Sequence, residues 1–187
     1  MSSFNINKTP LKIAIVGPPK VGKTVVANSL SEFSNVVSQE YHPTVGVRIL
    51  EMEKTFSEDQ VKNIPILKNN KVNKVKIELW DCSGDKKYSS TWPAIQYGVH
   101  GVIIVIDAMS IRYDNYLDDW INGFCKEINR DHLVCFSYKK DDAKKGEPRQ
   151  KTCNTFPKLP IAEVKNDMST LIPNFNKFIS KILCELK

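Results

Sequence analysis

The chain predicts an α/β fold, a mostly parallel sheet with helices on both faces, and three observations carry it. Residues 13–25, IAIVGPPKVGKTV, join a buried apolar run to a glycine-bounded loop and then to a helical stretch. Two further apolar runs, GVIIVID at 101–107 and LVCFS at 133–137, are set apart by a helix-length amphipathic segment. Continuous β-branched runs suit strands buried on both faces, and strands alternating with helices build parallel sheets. At 187 residues, 41% apolar and 26% charged, one domain over 1–187 buries a sizeable core, with 1–10 as an N-terminal extension.

The first strand ends in Gly17-Pro18-Pro19-Lys20-Val21-Gly22-Lys23-Thr24, which fits G-x4-G-K-[ST], the phosphate loop of P-loop NTPases. Backbone N–H groups from Lys20 to Val25, at a helix N-terminus, surround phosphate oxygens in such a loop. Lys23 is expected to reach the β- and γ-phosphates and Thr24 to offer its hydroxyl to Mg²⁺. An ordinary glycine turn is the bland alternative; strand, loop and helix in that order favour the phosphate reading.

A helix over about 23–33 follows, then a polar, turn-rich segment that ends in an extended stretch over 47–53. Residues 57–73 carry no clear period and are read as a long hairpin loop. VKIELW at 75–80 alternates as a half-buried strand does. A helix around 113–128 contains Trp120, Ile121 and Phe124, and a short strand near 159–164 leads into a terminal helix. There Phe175, Phe178, Ile179, Ile182 and Leu186 recur at helical spacing, with Cys184 expected to pack within the helix.

The formal charge is +6, but the lysines cluster at 68–76 and 139–151 without interleaved aromatics in the second run or a reading-helix motif. Solvated faces are therefore expected, and no nucleic-acid partner. Five cysteines form no C-x-x-C pair and none sits beside a histidine at zinc spacing, which suits reduced thiols in the cytoplasm. His42, His100 and His132 are too scattered for a metal role. No apolar signal or membrane-length stretch occurs, Ser2 excludes N-myristoylation, and the ending Cys184-Glu185-Leu186-Lys187 is a poor prenylation signal. No direct membrane anchor is expected.

What else aims at a γ-phosphate? Thr44 lies twenty residues after Thr24, just before an extended strand, and Asp81-Cys82-Ser83-Gly84 closes the half-buried strand as D-x-x-G. Asp81 can hold Mg²⁺ through a water, and the Gly84 N–H can donate to a γ-phosphate oxygen. Each is weak alone; in this order after a phosphate loop they form a small-GTPase pattern. The chain here resembles the Ras superfamily, with Tyr41-His42-Pro43-Thr44 like the first switch segment and Asp81-Cys82-Ser83-Gly84 like the second. More narrowly, residues 43–51, residues 78–88 with Trp92-Pro93-Ala94, and His100-Gly101-Val102 look like the Rab-like GTPase subunits of the intraflagellar transport B complex.

The resemblance implies a Ras-like P-loop domain holding GTP or GDP with Mg²⁺, Thr44 joining Thr24 at the metal. It also implies docking on the coiled-coil heterodimer of the complex B core, in the cytoplasm and in the cilium or flagellum and its base. The subunit is expected to be monomeric outside the complex.

Some positions depart from the pattern. Asp85 stands where hydrolysing relatives usually carry a glutamine, and a carboxylate cannot donate an amide hydrogen bond to the attacking water. Pro19 crowds the γ-phosphate and any activator's arginine. At most slow hydrolysis is expected, and no catalytic residue is assigned. The guanine-reading N-K-x-D is missing; Tyr138-Lys139-Lys140-Asp141 is nearest, with Lys139 covering the ring and Asp141, or Asp142 in the shifted frame, accepting from guanine. The same run can equally be a charged loop. The family's S-A-K-like loop is also missing around Ala162-Glu163-Val164-Lys165.

Trp80 and Trp120 are expected in the core; Trp92 is open between packing and partner contact. Three functions compete: a subunit that keeps its nucleotide, a GTP-hydrolysing switch in vesicle or ciliary trafficking, and an ATP-dependent phosphotransferase. The last lacks a lid and an arginine cluster.

Overall fold

The computed structural model describes residues 4–31, 42–138, 156–164 and 169–186. Among the described residues six strands form one sheet in the order β2-β3-β1-β4-β5-β6. They are β1 (Leu11–Val16), β2 (Val47–Thr55), β3 (Lys74–Cys82), β4 (Gly101–Asp107), β5 (Leu133–Tyr138) and β6 (Ile161–Val164). Only the β2/β3 pair is antiparallel, and β2 lies at an edge.

Period-2 alternation divides the core into two layers. Leu11, Ile13 and Ile15 enter one cluster with Ile103, Val105 and Phe136, beneath α1 (Lys23–Leu30) and α6 (Leu171–Glu185). Ala14 and Val16 enter the other with Val102, Ile104 and Cys135, beneath α5 (Tyr113–Asn122). Both faces are thereby covered, as the apolar runs require.

Residues 57–73 are not a plain loop: they hold α2 (Glu58–Asn63) and α3 (Pro65–Asn70). Ser57 and Gln60 form a reciprocal capping box, and Pro65 opens α3. Ile64, Ile66 and Leu67 are buried in the α6-side cluster. Six residues are too few to display a helical period, so the pattern was hidden.

Other boundaries shift modestly. α1 spans Lys23–Leu30, and α5 stops at Asn122, where Gly123 takes the C-cap; Phe124 and Cys125 are nonetheless buried beyond it. Between β3 and β4 lie a 3-10 turn (Lys86–Thr91) and α4 (Trp92–Gln96). Cys184 is exposed and does not pack inside α6; Leu171, Leu183 and the expected phenylalanines and isoleucines form the buried stripe. No helix among the described residues is long and apolar enough to cross a membrane. Lys68, Lys71, Lys74 and Lys76 are all exposed, as a solvated face requires; residues 139–151 lie outside the described ones.

Candidate functional site

The carboxyl ends of β1 and β3 meet at one place, because Ile15 pairs with Asp81. β2 runs antiparallel to β3 with Val47 opposite Cys82, which delivers Thr44 to the same corner. From β1 the loop 17–22 turns back over the sheet and enters α1 at Lys23. Gly17 has φ 139° and approaches β4 so closely that a Cβ would lie 2.1 Å from the Val105 carbonyl oxygen. Lys20 has φ 62°, so an ordinary residue holds a left-handed conformation in the middle of the loop. A loop that alternates such conformations turns its N–H groups inward and makes an anion concavity.

Three oxygens gather beneath it. Thr24 Oγ1 donates to Asp81 Oδ2 at 2.9 Å and lies 3.1 Å from Thr44 Oγ1, which itself stands 3.5 Å from Asp81 Oδ2. Asp81 is fully buried, and burial raises its pKa against the opposing pull of Thr24, Arg48, Lys23 and Thr44. Its Oδ1 has no hydrogen-bond partner. A buried carboxylate with an unpartnered oxygen beside two hydroxyls is a hard oxygen-donor set, and it fits a divalent cation such as Mg²⁺. Lys23 is also buried; its Nζ donates to the Pro18 carbonyl at 2.7 Å, and burial lowers its pKa to about 8 in spite of Asp81. A phosphate oxygen is a better acceptor for that ammonium than a carbonyl.

Gly84 sits against the loop. A Cβ there would come within 2.5 Å of Pro18 C and Pro19 N and 2.6 Å of the Gly17 oxygen, so only glycine permits this approach. Thr24, Thr44 and Asp81 thus meet directly, Lys23 and Gly84 lie against the loop that contains Lys20, Val21 and Gly22, and Val25 follows in the first turn of α1. Residues 32–41, which include Tyr41, and residues 139–142, with Lys139, Asp141 and Asp142, lie outside the described residues, as does Lys165.

Asp85 does not point freely toward a phosphate. It caps the 3-10 turn: its carboxylate accepts from the Lys87 N–H at 3.0 Å and pairs with Lys87 Nζ at 3.2 Å. These bonds lower its pKa. Cys82 is buried and its thiol is pushed up to about 12, which removes it as a nucleophile.

The roles of two residues escaped the sequence reading. Arg48 points under the sheet, 3.5 Å from Asp81 Oδ2, and donates to Asn28 Oδ1 on α1. The signal was available: in β2, Arg48 occupies the parity of the inward residues Leu50 and Met52. Tyr138 is buried with its ring where a Cβ on Gly22 would come within 2.6 Å, bracing the phosphate loop from the end of β5. Nothing in the spacing announces that contact. Trp120 is buried as expected, whereas Trp80 is only half-buried. Trp92 packs on Trp120 and Phe124 at centroid distances of 5.4 and 5.6 Å, so packing occupies it.

The Ras of Complex (Roc) domain of DAPkinase, as a family profile, matches residues 12–141. Intraflagellar transport protein 22 homolog of Homo sapiens is 33% identical over 176 residues, covering 92% of this chain and 89% of the relative. The chain belongs to the intraflagellar transport protein 22 family of Ras-like GTPases. Another relative, intraflagellar transport associated protein 2 of Caenorhabditis elegans, is 32% identical over 155 residues, covering 72% of this chain and 60% of its own. A chain of the GTP-bound T. brucei IFT22/74/81 crystal structure shares the fold with a TM-score of 0.70 at 23% identity, covering 94% of this chain and 96% of that one.

Proposed function

We propose that this chain is a guanine-nucleotide-binding, Rab-like subunit of the intraflagellar transport B complex that keeps its nucleotide with slow or absent hydrolysis. The observation that carries the reading is the convergence of Lys23, Thr24, Thr44, Asp81 and Gly84 under one phosphate loop, in a chain of this family. Lys23 exchanges its carbonyl partner for phosphate oxygens. Backbone N–H groups of Lys20 to Val25 surround those oxygens, and the Gly84 N–H meets the terminal phosphate. Thr24 and Thr44 would hold Mg²⁺ directly and Asp81 through a water, and such a cation would supply charge neutralisation for the phosphates. Asp85, tied to Lys87, offers no group that positions an attacking water.

The coiled-coil heterodimer of the complex B core is the proposed partner, with localisation in the cytoplasm and the cilium or flagellum, and a monomer outside the complex. The IFT22/74/81 assembly named for the structural relative supports a partner within that complex. The test is the nucleotide released from purified, denatured protein, followed by single-turnover hydrolysis. GTP released intact supports a kept nucleotide. GDP alone supports the second reading, a hydrolysing switch in ciliary or vesicle trafficking, and release of ATP or no nucleotide overturns both.

A further inference from the structure

Lys12 occupies a position where β1 otherwise places only buried hydrophobes: it is 9% exposed, between Leu11 and Ile13 at 0%. A lysine on a sheet commonly lays its stem on the protein and lets its ammonium reach water. Here the ammonium ends on protein. Nζ donates to the Tyr97 carbonyl at 2.9 Å and reaches the Ala94 carbonyl at 3.5 Å. It also stands 3.7 Å from the centroid of the Trp80 ring, whose Nε1 donates to Glu78 Oε2 at 2.9 Å. Ala94 lies in α4 and Tyr97 is its C-cap, so the ammonium satisfies carbonyls that the end of a helix leaves without partners. Main-chain bonds repeat the tie: the Lys12 N–H donates to His100 Nδ1 at 3.0 Å, and the His100 N–H donates to the Lys12 carbonyl at 2.9 Å.

The segment before α4 is held quite differently. Between Asp85 and Thr91 the ion pairs are Lys86 with Asp119 at 3.1 Å and Lys87 with Asp85 at 3.2 Å, both with exposed partners, while the bonds from the Lys87 N–H to Asp85 and from Thr91 Oγ1 to the Tyr88 carbonyl stay inside the segment. Exposed pairs of this kind contribute little and are screened by salt. A buried ammonium bridging two carbonyls and an aromatic face is a stronger fastening, because releasing it leaves charge and carbonyls unsatisfied.

We infer that Lys12 is a positioning residue that fastens the C-terminal end of the second switch segment to β1 whichever nucleotide is bound, so that within this segment nucleotide state moves only residues 83–91. The nucleotide clause rests on the function proposed above; the fastening is a property of the protein with or without nucleotide. Backbone amides report it: the Tyr97 N–H is bonded to the Pro93 carbonyl and the Val99 N–H to the Gln96 carbonyl.

The experiment is hydrogen exchange on the full chain, as parent, Lys12→Met and Lys12→Arg, without nucleotide and loaded with GTP or GDP, with nucleotide affinity measured on the same samples. The Met variant keeps the stem and removes the donors. Exchange at Tyr97 and Val99 is expected to rise about ten-fold in it, the scale of a lost charge-assisted hydrogen bond, with Ile15 and Ile103 unchanged and partial recovery in the Arg variant. In the parent, those two amides should differ between GTP and GDP by less than about two-fold, while residues 83–91 differ more. Equal exchange in parent and Met variant overturns the fastening, as does a rise spread evenly over β1 and β4. A large GTP/GDP difference at Tyr97 overturns the confinement to 83–91. If no nucleotide binds, the proposed function and the confinement fall, and a raised exchange at Tyr97 in the Met variant still upholds the fastening. Should Lys12→Met fail to fold, Trp80→Leu withdraws the ring from beneath the ammonium, and unchanged exchange at Tyr97 there is equally fatal.

Discussion

Lys23 donates to a loop carbonyl and Thr24 to the Asp81 carboxylate, partners that under the proposed function give way to phosphate and cation. Removing either leaves the phosphate or the cation without a contact the rest of the loop can supply. Lys23→Ala and Thr24→Asn are therefore expected to lose measurable Mg²⁺-nucleotide binding by calorimetry; parent-like affinity would dismantle the site. Asp85 faces the opposite test. Asp85→Gln gives up an N-cap on the 3-10 turn but introduces a neutral donor and acceptor, so single-turnover GTP hydrolysis should rise. A rate no higher than the parent's would shift the block to Pro19 or to the path of the turn. His100 gives a pH dependence. Its Nδ1 accepts from the Lys12 N–H, which a protonated ring cannot do, and burial, helped by His132 and Lys12, lowers its pKa below 6.5. The unfolded chain therefore takes up this proton first as pH falls. The contribution is fully present above about 6.5 and is lost as pH falls through the folded-state value. Urea midpoints of parent minus His100→Asn should be flat at higher pH and decline in that window; a flat difference throughout would show that the ring is not coupled to folding.

At the scale of elements, α2 and α3 bolt the β2/β3 hairpin to the terminal helix. Leu67 is fully buried in the cluster that also contains Phe175 and Leu183. Leu67→Ala should destabilise by about 2–5 kcal/mol in denaturant unfolding, whereas Ser57→Ala, at the exposed capping box, should lose only about 1 kcal/mol. Comparable losses would mean that the insertion is not part of the core. These helices also mark where the sequence becomes hard to read. β1, β4 and β5 are continuous apolar runs and are legible without a partner, and α6 shows four turns of its stripe. α2 and α3 are shorter than two helical periods, and only their cap residues, Ser57 with Gln60 and Pro65, could have revealed them. The site divides in the same way. Lys23, Thr24, Asp81 and Gly84 sit in motifs whose spacing encodes their geometry, but Arg48, Tyr138 and Lys12 act across strands, and side-chain partners across a sheet are set by register rather than by local pattern.

For the molecule as a whole, the question is how a partner meets the nucleotide end. We propose that the docking surface joins the first switch and β2, over 41–50, to the second switch, over 86–94, because bound nucleotide orders the chain there, and the structure shows which residues can test it. Arg48 is committed to Asp81 and Asn28, and Trp92 to Trp120 and Phe124, so changing either disturbs the site or the core before any partner. Val45 and Ile49, 76% and 47% exposed on the same edge, are free of that objection. Val45→Asp with Ile49→Glu should abolish binding to the coiled-coil heterodimer and leave GTP affinity at the parent value. If nucleotide chiefly holds this surface in shape, GTP- and GDP-loaded protein should bind that partner with affinities closer together than the roughly 5–150-fold of typical allosteric couplings, and nucleotide-free protein should bind poorly. Calorimetric titration of the three forms decides it. A strong preference for GTP would make the protein a switch that needs its hydrolysis, against the chemistry of Asp85, and full binding by the double variant would move the partner to another face.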